Sequence, residues 1–366
     1  MLDLFKVPPS DQVLITHESL RRSTAAFFEA MGETQENAKT AANTLVTADL
    51  RGVESHGVSN MMPYYLKYYA DGSIRSDHKE KIVKEALATA MMDADKGLAI
   101  ILGPKAMSLA IEKAKKTGVG VVIMRNAGHS GAIGTHAMMA VEHDMIGMCM
   151  TAGGMRVLPT FGAEVRLGTN PIAVAAPAGK EIPFLFDAAT CSVAHNKIRL
   201  AQRLKVQVLG GWIADDDGTP IMEPHDPPPH DEPLLLPLGS TREMGSHKGY
   251  GFGLFPNIFG TVLSGTFPPM VTGIRTNEHY FAAYNIAAFV DVAEFKEKMD
   301  RMLRTLLETK PAPGHDRVIY PGIIEHEEEQ KRRKYGIPLH KDVVKWFEDQ
   351  GKKYRITELE RSKVKA

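Results

Sequence analysis

The chain reads Leu50-Arg51-Gly52-Val53-Glu54-Ser55-His56-Gly57-Val58-Ser59-Asn60 between two stretches whose apolar residues have helical spacing. This segment, which we call the His56 loop, concentrates groups that can carry charge or transfer protons. Such a polar break between helices is typical of an active-site lining. Histidine acts as a general acid or base near neutral pH, so His56 is a candidate catalytic residue. The alternative is a histidine that caps the helix after Gly57.

Helices are predicted on both sides of the His56 loop. Thr16 and Thr34 are predicted N-caps of two helices before it, and a third helix is predicted to end at Gly72. Short β-rich runs then alternate with helical segments from about residue 75 to residue 275. The predicted strands lie within residues 82–93, 119–124, 146–151, 172–177 and 183–187, and a further strand is predicted at residues 280–290. This alternation predicts an α/β fold with the sheet in the middle of the chain.

A second polar loop follows an apolar strand-like run and reads Arg125-Asn126-Ala127-Gly128-His129-Ser130-Gly131. We call residues 126–131 the His129 loop. Proteins with α/β folds place ligand contacts at such strand ends, and Gly128 and Gly131 allow close approach of the backbone to a ligand. The alternative is a glycine-rich turn around an internally bonded histidine. We predict that His56 and His129 meet in one cleft.

The composition excludes several classes of function. The chain has 366 residues, 43% of them hydrophobic, with 44 basic and 44 acidic residues. This charge balance predicts no binding of nucleic acid or of an anionic membrane. No apolar run approaches the roughly 18 residues of a membrane span, and no signal peptide is predicted. Cys149 and Cys191 form no CxxC pair, which favours buried thiols in a cytoplasmic protein.

Residue spacing argues against a catalytic metal and against a Rossmann nucleotide site. His129, His136 and His143 recur every seven residues. Seven residues of helix span about 10.5 Å, too far for zinc bonds of about 2 Å. No predicted strand is followed by GxGxxG. Lys248, at the start of a glycine-rich predicted helix, is either a phosphate ligand aided by helix amides or a solvated lysine.

Eight segments of this chain, in order, resemble the malate/L-lactate dehydrogenase family that lacks a Rossmann fold. They are residues 51–57, 126–131, 168–171, 186–190, 211–212 with 217–218, 237–239, 248–251 and 320–322. The resemblance implies a mixed sheet that binds NAD or NADP, packed on a helical domain built from both chain ends. The implied domains are a helical segment (1–75), the sheet domain (76–275) and a C-terminal segment that completes the helical domain (276–366).

The resemblance also implies a function and its residues. A homodimer would transfer hydride between the nicotinamide and a 2-oxo or 2-hydroxy acid, and His56 or His129 would transfer the proton. An imidazolium can neutralise the charge that hydride transfer leaves on the carbonyl oxygen. The candidate substrate residues are Ser55, Asn60, Tyr64 and Ser130. The candidate cofactor residues are Gly153, Asp187, Ala188, Ala189, Lys248 and Gly322.

Three positions depart from the family pattern. Asn60 replaces a usual arginine, Asn196 replaces a usual glycine, and Gly153 replaces a polar residue. The arginine would pair with a substrate carboxylate, a contact that asparagine cannot replace. Asn60 therefore admits a cyclic imine or another carbonyl compound as the substrate. Together with Asn196, it motivates the alternative of a non-catalytic NAD-binding protein.

Overall fold

The computed structural model describes residues 3–228, 233–274 and 276–363. The helices are α1 (His17–Ala30), α2 (Gln35–Leu50), α3 (Val58–Ala70), α4 (Ala99–Thr117), α5 (Gly134–Val141), α6 (His195–Leu204), α7 (Ser246–Pro256), α8 (Pro269–Thr272), α9 (Val292–Leu307), α10 (Ile323–Tyr335) and α11 (Lys341–Tyr354). The strands are β1 (Gln12–Ile15), β2 (Lys81–Glu85), β3 (Thr89–Asp93), β4 (Val119–Ala127), β5 (Met145–Gly153), β6 (Ile172–Ala176), β7 (Phe184–Ala188), β8 (Ile213–Ala214), β9 (Leu234–Leu235), β10 (Asn277–Asn285) and β11 (Ile337–His340).

A mixed seven-stranded sheet organises the molecule. Its strand order is β2-β3-β4-β10-β5-β6-β7. Strands β3 and β4 are parallel, and the other neighbours are antiparallel. As a result β3, β4, β5 and β7 run in the same direction and end at one edge, which we call the site edge. The predicted α/β fold with a mixed sheet is confirmed.

Two glycines allow helices to lie unusually close to this sheet. A Cβ atom on Gly120 of β4 would lie 1.9 Å from the carbonyl oxygen of Ala110 in α4. A Cβ atom on Gly147 of β5 would lie 2.1 Å from the carbonyl oxygen of Ala137 in α5. Both distances are far inside van der Waals contact, so only glycine fits. The close packing fixes α5 directly behind the loop that connects it to β4.

The two chain ends pack together beside the sheet. Strands β1 and β11 pair in antiparallel fashion, and the Phe27 ring of α1 contacts Trp346 and Phe347 of α11. Thr16 and Thr34 cap α1 and α2, because their hydroxyls accept hydrogen bonds from the amides of Ser19 and Asn37. The N-caps predicted from the sequence are therefore confirmed.

Some predictions about chain organisation require correction. Strand β10 is an inner strand of the sheet, so the sheet extends past the predicted boundary at residue 275. Helix α5 begins only at Gly134, so His129 does not share a helix face with His136. Residues 224–237 are proline-dense, which predicts a surface loop or arm without regular structure, yet β9 within this stretch pairs with β8. His230 of that stretch lies outside the described residues.

Two further features concern the chain as a whole. Cys149 and Cys191 are both free and buried, which confirms the prediction of two buried thiols. Among the described residues, no helix combines the length and the apolar character needed to cross a membrane.

Candidate functional site

The His56 loop and the His129 loop meet at the site edge. His56 belongs to a single 3-10 turn between α2 and α3, and His129 follows β4. Their imidazole rings stack, with centroids 5.7 Å apart and planes 11° from parallel. Protein surrounds both rings, yet solvent still reaches part of each. The two histidines thus lie side by side between the N-terminal helices and the sheet, and we call the solvent-accessible space beside their rings the cleft.

His56 is a neutral imidazole held by its own neighbour. Its Nδ1 atom lies 2.9 Å from the Ser55 hydroxyl, which can either donate or accept a hydrogen bond. Burial, together with the nearby ammonium of Lys197, lowers the pKa of His56 to about 4. The Ser55 hydroxyl can accept from a protonated Nδ1 whether or not Nε2 carries a proton, so His56 can gain or lose a proton at Nε2.

His129 is held more rigidly. Its Nδ1 atom accepts hydrogen bonds from the Gly131 amide at 3.2 Å and from the Tyr65 hydroxyl at 2.8 Å. A backbone amide can only donate, so Nδ1 is unprotonated and the neutral ring carries its proton on Nε2. Burial, together with the neighbouring His56 and His279, lowers the pKa of His129 to about 3. His129 therefore offers an N–H donor to the cleft.

Two buried histidines that the sequence did not single out as functional fix the His129 loop. His279 of β10 donates from Nε2 to the Gly128 carbonyl at 3.0 Å, and its Nδ1 lies 2.9 Å from the Thr151 hydroxyl. His136 of α5 donates from Nε2 to the Ser130 carbonyl at 3.1 Å. The two carbonyls lie directly before and after His129. These bonds therefore set the position of its ring from both sides.

Buried ionisable side chains form hydrogen bonds that hold the His56 loop in place. The Asp49 carboxylate accepts a hydrogen bond from the Val58 amide at 2.8 Å, and burial raises its pKa to about 8. Arg332 of α10 pairs with Glu54 at 2.6 Å and donates to the Asp49 carbonyl at 2.6 Å. A Cβ atom on Gly57 would lie 1.9 Å from Asp49 Oδ1, so the loop needs glycine there.

Helix α6 covers the His56 loop from the other side. Asn196 Nδ2 donates to the Ser55 carbonyl at 2.6 Å. The Arg199 guanidinium lies 4.1 Å from the centroid of the Tyr64 ring. Sequence reasoning predicted no helix here, although Asn196, Arg199 and Arg203 are spaced to share one helix face. That spacing was the available signal.

Asn60 and Ser130, predicted to contact the substrate, lie beneath the cleft instead. Asn60 is 4% exposed, with Nδ2 donating to the Glu54 carbonyl at 3.0 Å and Oδ1 accepting from Arg203 at 3.0 Å. Ser130 is 1% exposed. Both side chains are turned inward because they sit where loops pack on helices. Ser55 and Tyr64 lie beside the cleft, as the sequence suggested.

Three candidate cofactor residues lie at the same edge of the sheet. Asp187, Ala188 and Ala189 stand at the carboxyl end of β7. Asp187 Oδ2 accepts a hydrogen bond from the Gly134 amide at 2.7 Å, which joins this segment to α5 behind the His129 loop. Protein around the Asp187 carboxylate raises its pKa to about 6, although solvent still reaches the side chain.

The three other candidate cofactor residues, Gly322, Gly153 and Lys248, have different surroundings. Gly322 has φ of 107°, and a Cβ atom there would lie 3.0 Å from the Leu185 amide nitrogen. On Gly153, a Cβ atom would lie 2.0 Å from Asn277 Oδ1, so a side chain is excluded by β10. Lys248 is exposed in the first turn of α7, and in the part of the chain described no hydrogen bond or ion pair engages its side-chain ammonium.

A nicotinamide dinucleotide fits this edge. It brings together the solvent-accessible carboxylate of Asp187, which can accept from a ribose hydroxyl, and the exposed ammonium of Lys248 on α7. Gly322 is buried and packs against the first residues of β7 instead. Metal binding has no comparable arrangement: within residues 3–228, 233–274 and 276–363, no three His, Cys, Asp or Glu side chains are grouped to hold an ion.

Comparisons with known proteins agree with this architecture. A malate dehydrogenase of Pyrococcus abyssi is 38% identical over 360 residues, covering 95% of this chain and 97% of that protein. An L-sulfolactate dehydrogenase of Methanocaldococcus jannaschii is 36% identical and covers 90% of this chain and 94% of that protein. The crystal structure of malate dehydrogenase from Entamoeba histolytica superposes with a TM-score of 0.89 at 32% identity, over 94% of this chain and 99% of that one.

Residues 15–348 match the sequence profile described as malate/L-lactate dehydrogenase. The chain matches these dehydrogenases along nearly the whole length of each, so it is an oxidoreductase that acts on CH–OH groups. The chain belongs to the malate/L-lactate dehydrogenase family.

Proposed function

We propose that the protein interconverts a 2-oxo acid and its 2-hydroxy acid with NAD or NADP, and that His56 transfers the proton. The observation that carries this proposal is the stacked pair of neutral histidines at the site edge. One histidine can change its protonation state at Nε2, and the other is fixed as a donor. A carbonyl oxygen held between them would receive both a hydrogen bond and a proton.

The hydrogen bonds of His56 and His129 give the two imidazole rings different roles. Protonation of His129 at Nδ1 would displace the Gly131 amide, so His129 stays neutral and donates its Nε2–H to the substrate oxygen. His56 has no such restriction, because its partner is the Ser55 hydroxyl. With a pKa of about 4 in the free protein, His56 is ready to accept the hydroxyl proton of a 2-hydroxy acid. An anionic substrate beside His56 raises its pKa for the reverse direction.

The bound cofactor would donate or accept the hydride. Asp187, Ala188 and Ala189 would hold it at the carboxyl end of β7, Gly322 would contribute from the start of that strand, and Lys248 would face a phosphate. The predicted roles of Asn60 and Ser130 become supporting ones, because both side chains are buried. The same holds for Asn196, which bonds the Ser55 carbonyl. These two asparagines therefore favour an ordered catalytic loop over a non-catalytic protein.

The test measures nicotinamide absorbance with NADH or NADPH and a panel of 2-oxo acids, their amides and cyclic imino acids. We expect turnover of a 2-oxo acid. His56→Gln should lower kcat by roughly 10²- to 10⁴-fold, the usual contribution of a positioned proton donor. His129→Gln keeps a donor and should lower kcat far less. No turnover of any compound, with no nicotinamide binding by calorimetry, would refute the function. A larger loss in His129→Gln would refute the division of roles.

A homodimer is the second part of this proposal, because α7 and the turns after it expose an apolar face. Phe252, Phe255, Phe259 and Val262 follow helical spacing and are each at least 40% exposed. Monomeric proteins rarely expose contiguous apolar patches of this kind. Val262→Glu should shift the protein towards a monomer in analytical ultracentrifugation. A wild-type monomer would contradict the proposal. The cytoplasmic location stays a prediction.

A further inference from the structure

Lys197 is a half-buried cation with no counter-charge. It lies in the first turn of α6, and burial lowers its pKa with no acidic group opposing the shift. Across the described ranges, no hydrogen bond or ion pair joins its ammonium to another residue. Burying a charge without a partner is unfavourable, so such a lysine is unusual in a position that only supports the fold.

The backbone around Lys197 is fixed next to His56. The preceding residue, Asn196, donates to the Ser55 carbonyl at 2.6 Å, and Ser55 directly precedes His56. The positive charge of Lys197 lies near enough to the His56 ring to lower the pKa of that histidine. Together with the Asn196 hydrogen bond, this places Lys197 close to the two stacked histidines.

The other cations around the cleft are engaged. Arg332 pairs with Glu54, and Arg51 pairs with Glu329 at 3.1 Å. On α6 itself, Arg203 bonds Asn60 and the Arg199 guanidinium lies on the Tyr64 ring. Among the described residues named here, Lys197 is thus the cation that a ligand can neutralise without breaking an existing contact.

We propose that Lys197 binds the carboxylate of the substrate and selects 2-oxo acids over neutral carbonyl compounds. This inference rests on the proposed function and assigns to α6 the charge that Asn60, inward-facing and neutral, cannot supply. A carboxylate placed against Lys197 has its 2-carbonyl one bond away, which directs the carbonyl oxygen towards the Nε2 atoms of His56 and His129. Lysine acts here as a flexible point charge, so the side chain of the acid beyond C3 is not fixed by this contact.

The experiment compares Lys197→Met and Lys197→Arg with wild type on a matched pair of substrates, a 2-oxo acid and its neutral 2-oxo amide. A charge-assisted hydrogen bond is worth roughly 10- to 150-fold in binding. Lys197→Met should therefore lower kcat/KM for the acid by that factor, mainly through a higher KM. The amide should change less than about threefold, and Lys197→Arg should recover part of the loss on the acid. The control is Lys67→Met, an exposed lysine of α3, which should behave as wild type.

A binding measurement separates this inference from the proposed function. Oxamate, a 2-oxo acid analogue that is not reduced, is titrated by calorimetry into protein saturated with reduced nicotinamide. We expect binding to wild type, weaker binding to Lys197→Arg and none to Lys197→Met. Equal oxamate affinity in wild type and Lys197→Met, or equal losses on the acid and the amide, would overturn the role of Lys197. A wild-type enzyme that binds oxamate through Lys197 and reduces no 2-oxo acid would instead contradict only the proposed function.

Discussion

The hydrogen bonds that fix the His129 loop should make the protein sensitive to acid. His136 and His279 are 1% and 0% exposed, and burial lowers the pKa of each to about 4 from an ordinary value of 6.5. In the unfolded chain they bind protons below about pH 6.5, whereas in the folded protein they stay neutral until about pH 4. The stability that they contribute is complete above pH 6.5 and is lost as the pH falls towards 4.

The magnitude follows from these two pKa values. At pH 5 a histidine with a folded pKa of about 4 is almost wholly neutral in the folded state and almost wholly charged in the unfolded state. Proton uptake on unfolding then lowers the free energy of unfolding by about 2 kcal/mol relative to pH 7 for each such residue. In His279→Gln the amide can still donate to the Gly128 carbonyl but cannot titrate. Its decrease in stability between pH 7 and pH 5 should be about 2 kcal/mol smaller than that of wild type.

Urea unfolding at pH 5, 6 and 7, at one protein concentration, measures this difference. Any constant effect of the substitution cancels, because only the change with pH is compared. His315→Gln is the matched control, since His315 is exposed, and its pH dependence should equal that of wild type. If His279→Gln also keeps the full wild-type pH dependence, His279 is not held neutral in the folded protein and the reasoning is wrong.

Three further substitutions test the support of the His56 loop. Asn196→Ala removes the donor to the Ser55 carbonyl and should lower kcat/KM by about tenfold, in steady-state assays, with an unchanged circular dichroism spectrum. Gly57→Ala places a Cβ atom 1.9 Å from Asp49 Oδ1, so it should cost about 1–3 kcal/mol in urea unfolding and most of the activity. Arg332→Met breaks buried ion pairs and should lower the free energy of unfolding by about 3–5 kcal/mol, whereas a loss below 1 kcal/mol would show that the pairs are not buried.

Local sequence signals predicted the parts of the fold that depend on neighbours along the chain. The hydroxyls of Thr16 and Thr34 cap their helices within three residues, and the apolar runs of β4 and β5 lie in the sheet. The place of β10 was beyond such signals. Its residues pair with β4 and β5 across more than 100 positions, and the order of strands depends on packing that no short segment encodes.

The candidate site shows the same division between local and distant information. The loops around His56 and His129 stood out because they place histidine and glycine between regular elements. The residues that hold these loops did not, since Asn196 and His279 act on segments 141 and 151 positions away. Lys197 is a further example, because nothing in the sequence distinguishes it from other lysines. Lys197 becomes notable only in the folded protein, where the described residues provide no acidic partner for it and its charge lowers the pKa of His56.

Asn60 illustrates how a departure from a family pattern should be interpreted. Read alone, the loss of an arginine four residues after His56 suggests a changed substrate or a lost activity. In the structure, Asn60 joins the Glu54 carbonyl to Arg203, so this position now carries the contact between the His56 loop and α6. The same helix brings Lys197 to the cleft. In our proposal the positive charge that binds the substrate comes from Lys197 of α6, so the substrate class depends on that charge rather than on the residue at position 60.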